Sequence, residues 1–169
     1  MKKTELTDLP IYSFEPIANF QSKVLILGTM PGKESLKMSS YYAHPQNVFW
    51  KIMFTLFNLP YSTDYLIRRE MLLINGVALW DVLERCTRRS SLDTDIRTEY
   101  PNNITDFLLS HPDISHIFFN GKGAENYFRK YFPEVTLSKQ VMPSTSAAHA
   151  KKWEEKLEIW KAIINIRKK

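Results

Sequence analysis

The run Val24-Leu-Ile-Leu-Gly28, closed by the turn Thr29-Met-Pro-Gly32, constrains the fold more than any other stretch of the chain. Four consecutive apolar residues are too few for a buried helix, and the absence of alternation means that both faces are covered. Such a run is a strand inside a parallel sheet. Three further strands are expected over residues 76–79, 115–119 and 135–141. Helical stretches lie between and after them. Residues 46–58 place Phe49, Ile52, Met53 and Leu56 on one face, just after Pro45. Residues 64–74 follow Thr63 as a cap, 103–110 stop at His111-Pro112, and 124–131 form the next helix. The last helix is expected over 148–166, with Trp153, Leu157, Trp160 and Ile164 as an apolar stripe and Lys151, Lys152 and Lys161 in solvent. Residues 1–22 read as an irregular outer wrap and 86–101 as a polar loop. The alternation predicts a single domain over 1–169, a three-layer α/β/α fold with a central, mainly parallel four-stranded sheet.

In a parallel sheet the carboxyl ends of the strands share one edge, where open α/β sheets bind their ligands. Three of these ends carry marked sequences: Gly28–Gly32, Asn120-Gly121 and Met142–Ser146. The loop after the first strand adds Tyr41-Tyr-Ala-His-Pro-Gln-Asn-Val-Phe-Trp50, dense in rings, imidazole and amides. It offers no paired carboxylates, no metal cluster and no activated nucleophile. This chemistry suits a flat, hydrogen-bonding ligand such as a nucleobase. The net charge of +5 fits a polyanionic partner and fits an ordinary basic enzyme equally well. Cys86 is the one cysteine, which excludes an intramolecular disulfide and multi-cysteine zinc or iron–sulfur sites. No apolar run approaches the roughly 20 residues of a membrane span, and residues 1–6 lack a signal-peptide core. A cytoplasmic, reducing location is expected.

The segment Gly28-Thr-Met-Pro-Gly32, then Ser35-Leu36, then Tyr41-Tyr-Ala-His-Pro-x-Asn-x-Phe-Trp50, resembles the first motif of the uracil-DNA glycosylase superfamily in its hypoxanthine-DNA glycosylase branch, family six. Gly76-Val-Ala-Leu-Trp-Asp-Val-Leu83, Ser91-Leu-Asp93, Phe119-Asn-Gly121 and Pro143-Ser-Thr-Ser146 are also similar to that branch. The resemblance covers residues 22 to 165. It implies a monofunctional glycosylase of base excision repair that hydrolyses the bond between a flipped, deaminated base and deoxyribose, leaving an abasic site. The implied partner is double-stranded DNA with a damaged base, bound by a monomer without a metal or other cofactor. Alternatives are a uracil or mismatch-specific glycosylase and a catalytically silent DNA-binding relative. A serine hydrolase built on Ser144 or Ser146 with His149 lacks the nucleophile-elbow pattern.

Carried over residue by residue, the resemblance makes Asn47 catalytic. In mismatch-specific relatives the catalytic amide follows Gly-x in the first turn, but here that place holds Met30, which cannot polarise water. The other reading of Asn47 is a helix-start residue that satisfies backbone groups. Gly28, Thr29 and Met30 line the base pocket, and Tyr42 stacks on the extruded base, with Tyr41 or Phe49 as substitutes. Asn120 reads the base edge or serves as a turn residue. His44 contacts substrate or staples its loop. Lys122, Ser144, Thr145, Ser146 and His149 meet the DNA backbone, the three hydroxyls as part of a phosphate-binding helix start or as helix caps. Motif three often opens with histidine in relatives; Met142 holds that place here. Asp81, after Trp80, positions water or Asn47, or makes a structural hydrogen bond.

Overall fold

The computed structural model describes residues 9–168, so residues 1–8 of the expected outer wrap and Lys169 lie outside the described residues. In chain order the elements are β1 (Ile11–Tyr12), β2 (Val24–Gly28), α1 (Lys33–Met38), α2 (Phe49–Leu56), α3 (Tyr65–Ile74), β3 (Val77–Asp81) and β4 (Leu83–Thr87). After a single 3-10 turn at Asp93–Asp95 come β5 (Arg97–Pro101), α4 (Ile104–Ser110), β6 (His116–Asn120), α5 (Lys122–Tyr131), β7 (Ser138–Met142), α6 (Trp153–Trp160) and α7 (Ala162–Arg167).

Four strands form the central sheet in the order β3-β2-β6-β7, every pair parallel. All five residues of β2 are buried, as a doubly covered strand requires. Strand period decides which layer each side chain joins. Val24 and Ile26 pack with Phe49, Met53, Leu72 and Trp160 on one face. Leu25 and Leu27 pack with Ile104, Phe107, Ala124 and Phe128 on the other. The three-layer arrangement expected from the sequence is therefore present.

The stretch 86–101 is not a loop. β1, β4 and β5 form a separate antiparallel sheet in the order β1-β4-β5. β5 is largely polar because much of it faces solvent, and two register irregularities against β4 blur the alternation that marks a strand. Helix α3 is capped by Asp64 rather than Thr63. Its carboxylate accepts from the backbone N–H groups of Leu66 (2.9 Å) and Ile67 (3.3 Å), a stronger cap than a hydroxyl there would give.

The last helix starts at Trp153 and breaks at Lys161, later than expected and in two pieces. Lys156 explains the late start. Its ammonium, on a residue only 3 % exposed, donates to the carbonyls of Ser146 (3.0 Å) and His149 (3.2 Å), which fixes 146–149 as a turn. The break shifts the apolar phase. Trp160 and Ile163 are buried, whereas Trp153, Leu157 and Ile164 are half-buried. Lys151 and Lys161 pair with Glu155 and Glu158 at the surface.

Strand register places the marked residues side by side. In β2–β3 Gly28 lies opposite Asp81, and in β6–β7 Asn120 lies opposite Met142. All four residues stand at the carboxyl edge of the sheet.

Candidate active site

A cavity of about 620 Å³ opens at that edge. Its floor is set by Gly28. A Cβ there would stand 2.6 Å from Asp81 Oδ1 and 2.8 Å from the Tyr42 hydroxyl oxygen, so only glycine lets both side chains approach. Tyr42 has φ of 51°, a left-handed conformation costly for a bulky residue. Its ring lies against Phe49 with centroids 4.2 Å apart, and its buried hydroxyl has no hydrogen-bond partner among the described residues. Burial, and next the Asp81 charge, hold the Tyr42 phenol far above its usual range, against a smaller lowering from the nearby Asn120 side chain, so it is a neutral donor. Tyr41 and Phe49 are core residues instead. Phe49 is fully buried, and the Tyr41 hydroxyl donates to the Glu15 carbonyl at 3.0 Å.

Asn47 lines the cavity just before α2. Its side-chain Oδ1 accepts from the Phe49 backbone N–H at 2.9 Å, so the helix-start role is real. That bond uses one lone pair of the amide oxygen and leaves the second, with both Nδ2 hydrogens, for a ligand. His44 Nδ1 accepts from the Gln46 backbone N–H at 3.1 Å, which staples the loop and leaves Nε2 at the rim. The Val48 N–H donates to the Thr145 carbonyl at 3.1 Å and ties this loop to the one after β7.

Asn120 grips that second loop with both arms. Its Nδ2 donates to Thr145 Oγ1 and its Oδ1 accepts from the Thr145 N–H, each at 2.9 Å. One N–H and one lone pair remain to face the cavity. The expected helix start at Ser144–Ser146 is corrected, because α6 begins only at Trp153. Ser144 Oγ accepts from Ser146 N–H and Ser146 Oγ from Ala148 N–H, each at 3.2 Å, so these are hydroxyl turns rather than free helix amides. Thr145 is 1 % exposed and structural.

A third wall comes from residues 88–95. The Arg88 guanidinium donates to the Pro31 carbonyl, the Lys33 N–H to Ser91 Oγ at 2.9 Å, and Thr29 Oγ1 to Asp93 Oδ2 at 2.9 Å. Gly123 at the head of α5 is required here, since a Cβ would collide with the Asp93 carboxylate. Burial raises the Asp93 carboxyl, and the Thr29 hydrogen bond pulls it back. At the mouth stands Leu92, 55 % exposed.

The structure thus gathers Gly28, Thr29, Met30, Tyr42, His44 and Asn47 with Asn120, Ser144, Thr145, Ser146 and His149 around one cavity. Lys122 is the exception: it is exposed and pairs with Glu125 at 3.4 Å. Asp93 and Lys156 have structural consequences that residue-level reading did not give. Asp93 was visible only as part of the Ser91-Leu-Asp93 resemblance, and Lys156 has the sequence context of any helix lysine. Among the described residues no cluster of three or more His, Cys, Asp or Glu could hold a metal, and no helix is long and apolar enough to cross a membrane.

Asp81 is 3 % exposed, and its Oδ2 accepts from Ser13 Oγ at 2.7 Å. Burial raises its carboxyl to about 7; the Ser13 bond lowers it, Asp93 raises it and Arg88 lowers it. Between the ordinary aspartate value of 3.8 and about 7, the folded chain holds a proton that the unfolded chain has lost. The resulting stability is greatest at the acid end and disappears as pH rises through that window. Asp81→Asn is therefore expected to add on the order of 3 kcal/mol at pH 8 and far less at pH 4. Urea midpoints of the two proteins at both pH values check this; an equal gain at both would sink it.

Residues 15–164 match the family described as the uracil DNA glycosylase superfamily. A hypoxanthine DNA glycosylase of Methanosarcina barkeri is 28 % identical over 148 residues, 87 % of this chain and 93 % of that protein. One of Methanosarcina acetivorans is 28 % identical over 152 residues, 89 % and 95 % of the two chains. The solution NMR structure of a candidate uracil DNA glycosylase from Methanosarcina acetivorans superposes with a TM-score of 0.83 at 25 % identity, over 95 % of this chain and 100 % of the other.

Proposed function

The chain belongs to the uracil DNA glycosylase superfamily and is a DNA glycosylase, and on that premise we propose that the base it releases is hypoxanthine, hydrolysed from deoxyinosine in duplex DNA to leave an abasic site. The observation that carries this reading is the convergence of Tyr42 and Asn47, from the loop before α2, with Asn120, from the end of β6, on one cavity at the sheet edge. The base inside a duplex is out of reach, so the nucleotide flips into the cavity. Its phosphates stay tethered to the duplex. The base therefore meets the deep groups, Gly28, Tyr42 and Asp81, and the sugar meets the shallower Asn47. The free lone pair of Asn47 Oδ1 orients the attacking water or steadies the cationic sugar. Asn120 offers its remaining N–H and lone pair to the base edge, while Ser144, Ser146 and His149 meet the flanking phosphates. The protein acts as a monomer in the compartment that holds the chromosome.

Duplex oligonucleotides carrying inosine or uracil opposite each normal base test the reading. Abasic sites are expected from inosine, without strand cleavage and without a borohydride-trapped adduct, since Lys33 at the rim is the cavity's one lysine. Release of uracil alone would move the substrate to the reading favoured by the structural relative from Methanosarcina acetivorans. Release of neither base would sink the assignment.

A further inference from the structure

Parallel register sets Asp81 beside Gly28, and the missing side chain of Gly28 lets two polar side chains close on the cavity floor. Asp81 Oδ1 and the Tyr42 hydroxyl both lie close to Gly28, at 2.6 and 2.8 Å from the point where a Cβ would be, and both residues line the cavity. The Tyr42 hydroxyl is buried and unpartnered among the described residues. Asp81 Oδ2 is taken by the Ser13 hydroxyl, so a proton on this carboxyl sits on Oδ1, the oxygen beside Gly28. A buried acid and a buried phenol that line the cavity beside Gly28 offer two donors to a ligand at its floor.

Hypoxanthine presents acceptors, N7 and O6, and its departure places negative charge on the ring. Met142, opposite Asn120 at the end of β7, is buried and has no proton to donate. We propose that Asp81 is the acid of the reaction, its Oδ1–H donating to N7 or O6 of the departing base while the Tyr42 hydroxyl holds the neighbouring edge. This assignment rests on the hypoxanthine reading above. As the C1′–N9 bond breaks, its electron pair goes to the purine and the Asp81 proton to the acceptor atom. The base leaves neutral, water oxygen bonds C1′, and the proton lost by that water passes through solvent to restore Asp81.

The groups facing Asp81 agree with a protonated carboxyl. Ser13 precedes β2 and is neutral. Tyr41 and Tyr42 from the loop after α1, and Tyr65 from α3, are all held above their usual range, burial first, and stay neutral. Asp93 adds negative charge and Arg88 adds positive charge that also serves the Pro31 carbonyl. With burial dominant the carboxyl is raised to about 7.

Single-turnover release of hypoxanthine from duplex DNA is to be measured from about pH 5.5 to 9 for the wild type, Asp81→Asn and Ser13→Ala. The wild-type rate is expected to fall about tenfold per pH unit above about 7. Asp81→Asn, which donates but cannot transfer a proton, is expected to be about a hundredfold slower at pH 6 and to lose the alkaline limb. Ser13→Ala removes the hydroxyl that holds the carboxyl down and moves the limb to higher pH. Wild-type rates in Asp81→Asn, or a retained alkaline limb, overturn the assignment. Ser13→Ala decides independently: an upward shift supports the role and an unmoved limb overturns it. A wild type that releases uracil but no hypoxanthine overturns the substrate reading itself, a result distinct from an active wild type with an indifferent Asp81.

Discussion

Asn47→Ala is expected to slow single-turnover base release by about 10²–10⁴-fold while affinity for damaged duplex changes little. The substitution removes the cavity amide proposed to serve the attacking water and the sugar. The contacts to phosphate proposed for Ser144, Ser146 and His149 are untouched, so binding is expected to persist. It also removes the acceptor of the Phe49 N–H, and a lost helix-start bond of this kind costs about 1 kcal/mol. The two effects separate with a second variant. Asn47→Ser keeps an acceptor for the first turn of α2 but has no amide for water or sugar. It should regain most of the stability and little of the rate. Near-wild-type turnover in Asn47→Ala would confine the residue to its helix.

How much of the fold and the site was legible in the sequence depends on what each residue answers to. β2 and β6 were legible because they are apolar on both faces, a pattern that composition alone exposes. β5 was not. Arg97, Thr98 and Glu99 look like loop, and only pairing with β4 makes them a strand. The break at Lys161 was hidden because helical spacing runs through it without interruption, while Lys156 and its two carbonyls decide where the helix begins. The site divides in the same way. The strand-end rule brought Gly28 and Asn120 to one edge, but it could not show that Asn120 commits both arms to Thr145. Nor could it show that Lys122 turns away to Glu125. Hydrogen bonds across long sequence separations carry no local signal.

Gly28→Ala is expected to reduce base release on the order of 10³-fold. The added carbon would stand 2.6 Å from Asp81 Oδ1 and 2.8 Å from the Tyr42 hydroxyl, well inside contact distance. Neither neighbour yields freely. Asp81 is short, buried and held by Ser13, and Tyr42 is fixed by its packing on Phe49 in a strained backbone. Overpacking of this kind also costs about 1–3 kcal/mol of stability. Gly32, at the far end of the same turn, supplies the contrast. A Cβ there meets Ser91 Oγ at 3.4 Å, an ordinary contact, and its φ of −73° suits any residue. Gly32→Ala should keep stability within about 0.5 kcal/mol and rate within a few-fold. Thermal melting and single-turnover release on the two variants make the comparison. If Gly28→Ala works as well as Gly32→Ala, the base does not descend to the strand end, and the roles given to Tyr42 and Asp81 fall together.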